Sequence, residues 1–226
     1  SICGGSSATL TASGADTYAW LGGPTTTTYI VSPSGSTTYS ATGTNTTSGC
    51  SDTKTFDIGV FTPTLTVSGA SVVCEGGQVN LTASGANTYT WNPGGLQFAA
   101  ITVNPPVTTT YTVDGMASQG ALNCPGSNTF QLVVNPNPTV TATSVKPAIC
   151  AKETNTYTAS GATSYTWTGN AGSVVGPSIT VTSSISTILV YTLTGTNAQG
   201  CVDDQNITAS IFACTGLERG VKDSNG

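Results

Sequence analysis

Apolar and polar residues alternate along this chain in short runs, and turn-forming residues separate the runs. Residues 79–83, 88–91 and 130–134 are typical, because each run is rich in β-branched or aromatic side chains. Gly, Pro, Asn and Ser interrupt such runs roughly every 8–12 residues, which is the turn spacing of β-sandwiches. No segment has the 3.6-residue period of an amphipathic helix. The pattern predicts an all-β fold of antiparallel β-sandwiches.

One sequence pattern occurs three times. A Cys, a Leu-Thr-Ala-Ser-Gly-Ala segment (Tyr for Leu in the third copy) and a Tyr-x-Trp step follow one another at the same spacing, and a second Cys closes each copy. Chance does not produce three such copies, so the chain is an array of related modules. We divide it into repeat 1 (residues 1–61), repeat 2 (62–135), repeat 3 (136–213) and a tail (214–226). Short linkers that contain proline separate the repeats and predict a semi-rigid rod.

Each repeat is expected to have the same strand order. In repeat 1 the predicted strands are residues 8–12, 17–20, 29–31, 37–42 and 55–60, and repeat 3 has their equivalents at 154–159, 164–168, 178–181, 188–195 and 205–211. Repeats 2 and 3 carry an extra predicted strand before the first Cys, at 65–67 and 140–142. Repeat 1 has only Ser1-Ile2 there. Either an upstream part is missing, or repeat 1 leaves a sheet edge open as a docking template for a strand of another molecule.

The repeated aromatic residues are expected to be core anchors. The Trp falls in the middle of a predicted strand, and a repeated Tyr follows two strands later. A role in stacking against a ligand is the alternative for the Trp residues. The predicted anchors are Trp20, Trp91, Trp167, Tyr39, Tyr111 and Tyr191.

The cysteines suggest one disulfide in each repeat. Six of the seven occupy matching positions, two per repeat, which predicts the pairs Cys3–Cys50, Cys74–Cys124 and Cys150–Cys201. Each bridge closes a loop of about 50 residues, worth roughly 4 kcal/mol in the chain-entropy model. A thiolate metal site is a poor alternative, because the chain has no Cys-x-x-Cys pair and no His. The seventh, Cys214, is either a free thiol or bonded to another subunit or to an unseen segment.

Charge and composition exclude several functions. Charged residues make up 7% of the chain and the net charge is −5, so no basic surface for nucleic acid is expected. No apolar run is long enough to span a membrane. The chain has no His and its carboxylates are scattered, so we expect no catalytic site and no cofactor. The Asp203-Asp204 doublet is expected in a solvated hairpin turn, because a calcium site needs more oxygen ligands.

The combined pattern resembles a known family. The order Cys, Leu-Thr-Ala-Ser-Gly-Ala, Tyr-x-Trp, Ile-x-Val, Thr-Thr-x-Tyr-x-Val-x-Gly, Cys is similar to the immunoglobulin-like and PKD-like tandem surface repeats of secreted Bacteroidota proteins. The resemblance covers residues 1 to about 213. It implies three tandem immunoglobulin-like sandwiches and a protein secreted to the cell surface. The segment that begins Cys214-Thr215-Gly216 is similar to the linker before the sorting domain of type IX secretion, which implies that this domain has been removed.

Two functions remain from the sequence. The first is a non-enzymatic structural protein: the subunit of a surface filament or the rod of an adhesin, which associates with itself by strand addition at repeat 1 or with other surface components. Disulfides place it outside the cell. The second is a polysaccharide-binding module of a larger secreted protein. It requires exposed aromatic side chains, for which the candidates are Tyr29, Phe61, Phe98 and Phe212.

Overall fold

A computed structural model describes residues 1–169 and 172–214. All the secondary-structure elements in those two ranges are β-strands, which confirms the predicted all-β fold. The chain divides into two compact units. The first comprises residues 1–71, 78–104 and 108–133, and the second comprises 72–77, 105–107 and the described residues from Val134 onward. The predicted tail lies outside the described residues from Thr215 on.

Repeat 1 contains seven strands in three small sheets. The sheet orders are β2-β4, β3-β5-β6 and β1-β7, with β1 and β7 parallel and the other neighbours antiparallel. The strands are β1 Ile2–Cys3, β2 Ala8–Thr11, β3 Thr17–Trp20, β4 Thr28–Val31, β5 Thr37–Thr44, β6 Ser51–Ile58 and β7 Val60–Phe61.

Repeat 2 contains a three-stranded sheet, β12-β10-β8, and a four-stranded sheet, β11-β13-β14-β9. Its last hairpin is long, because β13 and β14 stay paired over eleven residues. The strands are β8 Thr66–Ser68, β9 Val72–Cys74, β10 Val79–Ser84, β11 Thr88–Asn92, β12 Ala100–Val103, β13 Thr109–Gln119 and β14 Leu122–Asn135.

Repeat 3 has the same plan, with the sheets β15-β17-β20 and β16-β22-β21-β18-β19. The edge strand β19 was not expected from the sequence. The strands are β15 Thr141–Ser144, β16 Ala148–Cys150, β17 Thr154–Ser160, β18 Ser164–Gly169, β19 Gly172–Val175, β20 Ser178–Thr182, β21 Thr187–Thr196 and β22 Val202–Phe212.

Alternating side chains on these strands build the cores. In β10 the burial pattern alternates strictly, so Val79, Leu81 and Ala83 face inward while polar neighbours face water. Trp91 and Trp167 are fully buried and Trp20 nearly so. Tyr111 is buried, whereas Tyr39 and Tyr191 are half-buried and pack against the cores of repeats 1 and 3.

A tyrosine hydroxyl closes the same turn in each repeat. The hydroxyl of Tyr165 accepts a hydrogen bond from the Ala162 amide (2.8 Å) and donates one to the Ala162 carbonyl (2.7 Å). Tyr18 and Tyr89 do the same with Ala15 and Ala86. This pairing satisfies both backbone groups of the turn at the end of the Ser-Gly-Ala segment.

The change Tyr165→Phe removes both hydrogen bonds of this turn. We expect it to lower the free energy of unfolding by about 1–2 kcal/mol, because two part-buried backbone groups lose their partner. Tyr191→Phe is the matched control, since its hydroxyl caps no turn, and we expect a change within about 0.5 kcal/mol. Chemical denaturation of the disulfide-bonded chain measures both. Equal effects of the two changes would contradict the role of the Tyr165 hydroxyl.

Candidate functional site

The disulfides do not lie within the repeats as the sequence analysis predicted. Cys3 is bonded to Cys124, and Cys74 to Cys201. The first Cys of one repeat is therefore joined to the second Cys of the next. The predicted pairs Cys3–Cys50, Cys74–Cys124 and Cys150–Cys201 are wrong.

Strand length explains this correction. The first Cys of each repeat lies beside the end of the last strand, because Cys3 is opposite Phe61, Cys150 is opposite Phe212, and Glu75 bonds to Asn135. The second Cys precedes those partners by 11 residues in every repeat (61−50, 135−124, 212−201). An extended segment of this length spans roughly 35 Å. Bonded cysteines need Cα atoms within about 7 Å, so a pair within one repeat cannot form.

The last repeat closes its own bridge. Cys150 is bonded to Cys214, two residues beyond the end of β22. The expectation that Cys214 is free or bonded to another molecule is therefore wrong. Cys50 is the unbonded cysteine among the described residues, and it is exposed.

The linker before each of the later repeats packs into that repeat. We call residues 63–68 the strap of repeat 2 and residues 138–144 the strap of repeat 3. Their apolar residues, Leu65 and Val140, are each only 4% exposed. The straps pair antiparallel with β10 and β17, as the extra strands predicted from the sequence require.

Glycines, which lack a Cβ atom, allow the strap backbone to pack closely. A Cβ atom added to Gly85 would lie 2.1 Å from the Thr64 carbonyl oxygen, and one added to Gly161 would lie 1.9 Å from that of Thr139. Both distances are far below van der Waals contact, so any side chain at these glycines would displace the strap. Gly14 occupies the same position in repeat 1, and nothing lies within 4 Å of its added Cβ.

Polar side chains of the last strand hold the strap backbone. In repeat 2 the side-chain amide of Asn128 donates to the Leu65 carbonyl at 2.7 Å. In repeat 3 the Val140 amide donates to the Asp203 carboxylate at 3.4 Å. Asp203 lies in β22, so the predicted hairpin turn is wrong there, and its observed contact is to the strap.

Repeat 1 has the same receiving surface without a strap. An open groove of about 660 Å³ follows residues 9–15 and the facing strands β5 and β6, with Cys50 at its lining. Strand β2 ends at Thr11, two residues earlier than the equivalent β10, because none of the described strands pairs with its free edge. Phe56 is 58% exposed, whereas Ile207 at the equivalent position of repeat 3 is 8% exposed.

The residues that would hold a strap backbone in repeat 1 pair with each other instead. The strand registers place Lys54 at the position of Asn128 and Asp52 at the position of Asp203. The Lys54 ammonium lies 3.0 Å from the Asp52 carboxylate on the surface. Lys54 lowers the pKa of Asp52 from its ordinary value, first by hydrogen bonding and then by its charge.

The aromatic side chains proposed for polysaccharide binding do not share one setting. Tyr29 packs on Trp20 and Tyr39 with ring centroids 5.8 and 6.0 Å away, so it belongs to the core of repeat 1. Phe61 is half-buried in β7. Only Phe98 and Phe212 are exposed, at 66% and 57%.

The described residues contain no metal-binding cluster. No group of three or more Cys, Asp or Glu side chains within them is arranged to hold a metal ion. Among the same residues, no helix has the length and apolar character that crossing a membrane requires.

Sequence reasoning missed the straps' receiving residues. It identified the extra strands, but not the glycines or the polar residues that accept them. The signal is present in the repeat itself, since Ser-Gly-Ala occurs three times and a Gly follows each repeated Tyr by four residues (Gly43, Gly115, Gly195).

The sequence matches no protein-family model and no curated protein. Similar solved structures include a Ca²⁺-stabilised adhesin of an Antarctic bacterium that binds ice (16% identity, 92% of this chain and 68% of that chain, TM-score 0.44). A 1.5-MDa bacterial ice-binding adhesin gives 16% identity, 93% and 92% coverage and a TM-score of 0.38. The amphioxus IgVJ-C2 molecule is 17% identical, with 61% of this chain and 98% of that chain covered and a TM-score of 0.30. Likeness at this level assigns no function to the chain.

A matched pair of glycine changes tests whether the strap, and not the turn, requires glycine. Gly14 and Gly85 have nearly the same φ, +95° and +93°. Alanine at either position therefore costs about 1–2 kcal/mol of backbone strain. We expect Gly85→Ala to cost about 1–3 kcal/mol more than Gly14→Ala, because it collides with the strap.

The difference in unfolding free energy between the two variants is the quantity to measure. Gly161→Ala in repeat 3 should behave like Gly85→Ala. If all three substitutions cost the same, the filled and open grooves are not energetically distinct.

Proposed function

We propose that this chain is a non-enzymatic, load-bearing structural protein outside the cell, either part of a surface filament or the rod of an adhesin. The observation that carries the proposal is the staggered set of disulfides. Bridges persist in oxidising surroundings, which supports an extracellular setting. In this function the three repeats, 1–61, 62–135 and 136–213, act as modules and not as separate binding domains.

Staggered bridges give tension a covalent route that avoids most of the folded chain. A force applied at the two ends crosses from Cys3 to Cys124, follows the chain to Cys150 and crosses to Cys214. Only the 26 residues between Cys124 and Cys150 then carry the load (150−124). Repeat 1 lies inside the loop from Cys3 to Cys124, and strands β17 to β22 of repeat 3 lie inside the loop from Cys150 to Cys214, so the force does not act along these strands.

Composition fits this role. Proline in the linkers restricts backbone rotation between the repeats, and 7% charged residues leave few groups for recognition of a charged ligand. The resemblance to Bacteroidota surface repeats supports the same role. Export through the type IX system and removal of a sorting domain remain predictions from that resemblance.

Strand addition at repeat 1 is the assembly step within this proposal. The open groove and the free edge of β2 support it, because repeats 2 and 3 fill the same surface with an added strand. Exposed strand edges are common docking sites for an extended segment.

Force spectroscopy of single molecules tests the load path. With handles at the two ends, the oxidised chain should lengthen little, because the loops of 121 and 64 residues between bonded cysteines stay closed. Reduction should release these 185 residues, which adds about 600 Å of contour length at roughly 3.4 Å per residue.

The variant Cys3→Ser provides the control. Its shortest covalent route follows the chain to Cys74, crosses to Cys201 and continues to Cys214, so 71 residues (74−3) and 13 residues (214−201) carry the load in place of 26. The oxidised variant should therefore be longer than the oxidised parent by about 58 residues of contour length, and the two reduced chains should be equally long. Bridges within the repeats would instead release about 150 residues on reduction, at the same length per residue. A gain in contour length of that size would contradict the proposal. No gain on reduction would contradict it equally.

A further inference from the structure

We propose that Cys50 and the groove of repeat 1 form the receiving half of a repeat junction, and that its occupant is a further repeat of the same kind. That repeat would place a strap in the groove and bond its own first cysteine to Cys50. The inference rests on the proposed structural function and names the partner of its open end. The chain itself contains this junction twice in its filled form, at repeats 2 and 3.

Cys50 is not an isolated thiol in this fold. In each repeat, the glycine four residues after the repeated Tyr pairs across the last hairpin with the residue two positions after the second Cys. These pairs are Gly43 with Asp52, Gly115 with Gly126, and Gly195 with Asp203. The equivalents of Cys50 are thus Cys124 and Cys201. Both are bonded to the first Cys of the preceding repeat.

The groove defines the chemistry of the strap that it would take. The two straps share the pattern Pro-Thr-(Leu or Val)-Thr-(Val or Ala), at residues 63–67 and 138–142. The middle residue is buried, and the following Thr bonds a Ser hydroxyl of the neighbouring strand at 2.7 Å in repeat 2 and 2.8 Å in repeat 3. Ser13 stands at that position in repeat 1.

The polar groups of repeat 1 complement the backbone of such a strap. Lys54 replaces Asn128, so it presents a donor to the strap carbonyl, and Asp52 replaces Asp203, which accepts from the strap amide. Both side chains are largely exposed, at 75% for Asp52 and 85% for Lys54. Their surface pair contributes little on its own, so exchanging it for bonds to a strap costs little.

A second folded copy of this chain does not supply the partner. Its three first cysteines, Cys3, Cys74 and Cys150, are already bonded, and both straps among the described residues already fill their own repeats. The disulfide between Cys150 and Cys214 joins the first cysteine of repeat 3 to the residue that follows its last strand by two positions. The described chain therefore has one receiving end and no complete donating end.

The covalent load path shows what the added bond does. One path runs from Cys3 through Cys124 and Cys150 to Cys214. A second begins at Cys50, follows 24 residues to Cys74 (74−50) and crosses to Cys201. A bond at Cys50 would anchor this second path and give two covalent routes through repeat 2.

Bond formation follows ordinary thiol–disulfide exchange. The Cys50 thiolate attacks a small-molecule disulfide, and one thiol leaves. The donor cysteine thiolate then displaces the second thiol and forms the new S–S bond. Two protein thiols lose two electrons and two protons in total, and the oxidant is reduced to two thiols.

The direct experiment extends the full chain by one repeat. A copy of residues 72–148 is joined ahead of Ile2, which keeps the spacing from the copied strap to Cys3 equal to that from Val140 to Cys150. The protein is oxidised with a glutathione redox buffer, alkylated and digested under denaturing conditions. We expect loss of Cys50 labelling, a peptide that links Cys50 to the copied Cys74, and labelling of the copied Cys124 instead.

Two matched variants of the extended chain separate the strap from the bond. Changing the copied Cys74→Ser should restore labelling of Cys50 on a folded chain. Changing the copied Val140→Asp should leave the groove unfilled and reduce formation of the bond. The proposal is overturned if Cys50 stays labelled in the unaltered extension, pairs with the copied Cys124, or bonds Cys50 of a second molecule.

A peptide added to the original chain covers the case in which the extension does not fold. The probe is a synthetic copy of residues 136–144, and its control carries Val140→Asp. We expect the first peptide alone to slow hydrogen exchange at Thr11 and Ser13, because the Ala12 amide between them already donates to the Thr27 carbonyl on the other side of the strand. Equal exchange with and without it overturns the proposal, whereas the force measurement on the original chain would still stand.

Discussion

The length of the last strand in each repeat is the constraint on which the structure depends. It separates the two cysteines of a repeat by an extended segment of 11 residues, roughly 35 Å, and so forbids a bridge between them. Cys3 and Cys74 therefore bond to cysteines of the next repeat, and Cys150 bonds to Cys214 just after the last strand. Because the pattern recurs along the chain, this limit joins neighbouring repeats covalently. It leaves Cys50 of repeat 1 unbonded, and Cys214 after repeat 3 supplies the partner of Cys150.

The straps are the second part of the same junction. A sandwich of five or six short strands leaves one side of its core uncovered, and the linker from the preceding repeat covers it. Gly85 and Gly161 allow the strap backbone to approach, while Leu65 and Val140 fill the space. The linker is therefore part of the core of the repeat that it precedes, and this explains why the exposed Phe56 and the open groove occur together in repeat 1.

Much of the fold follows from sequence pattern, because strands and core positions depend on local alternation. The order of strands and the inward Trp residues are examples, and so are the extra strands before Cys74 and Cys150. The cysteine pairing does not follow, because equal spacing identifies equivalent cysteines without saying which repeat holds the partner; six cysteines alone allow 15 pairings. The count of seven was the available clue, since pairing shifted by one repeat leaves Cys50 over and uses Cys214. The groove was missed because its lining comes from strands distant in sequence, such as β2 and β6.

Digestion with trypsin, without reduction, tests the staggered pairing most directly. The enzyme cuts after Lys54 and Lys152 but not at the Lys146-Pro147 bond, so it yields peptide 1–54, peptide 55–152 and the peptide that begins at Glu153. Thiols are blocked first, and the products are separated in denaturant. The account predicts that peptide 1–54 stays attached to peptide 55–152 through Cys3–Cys124 until reductant is added, with Cys50 carrying the blocking group. Release of peptide 1–54 without reduction, with Cys3 bonded to Cys50, would contradict it.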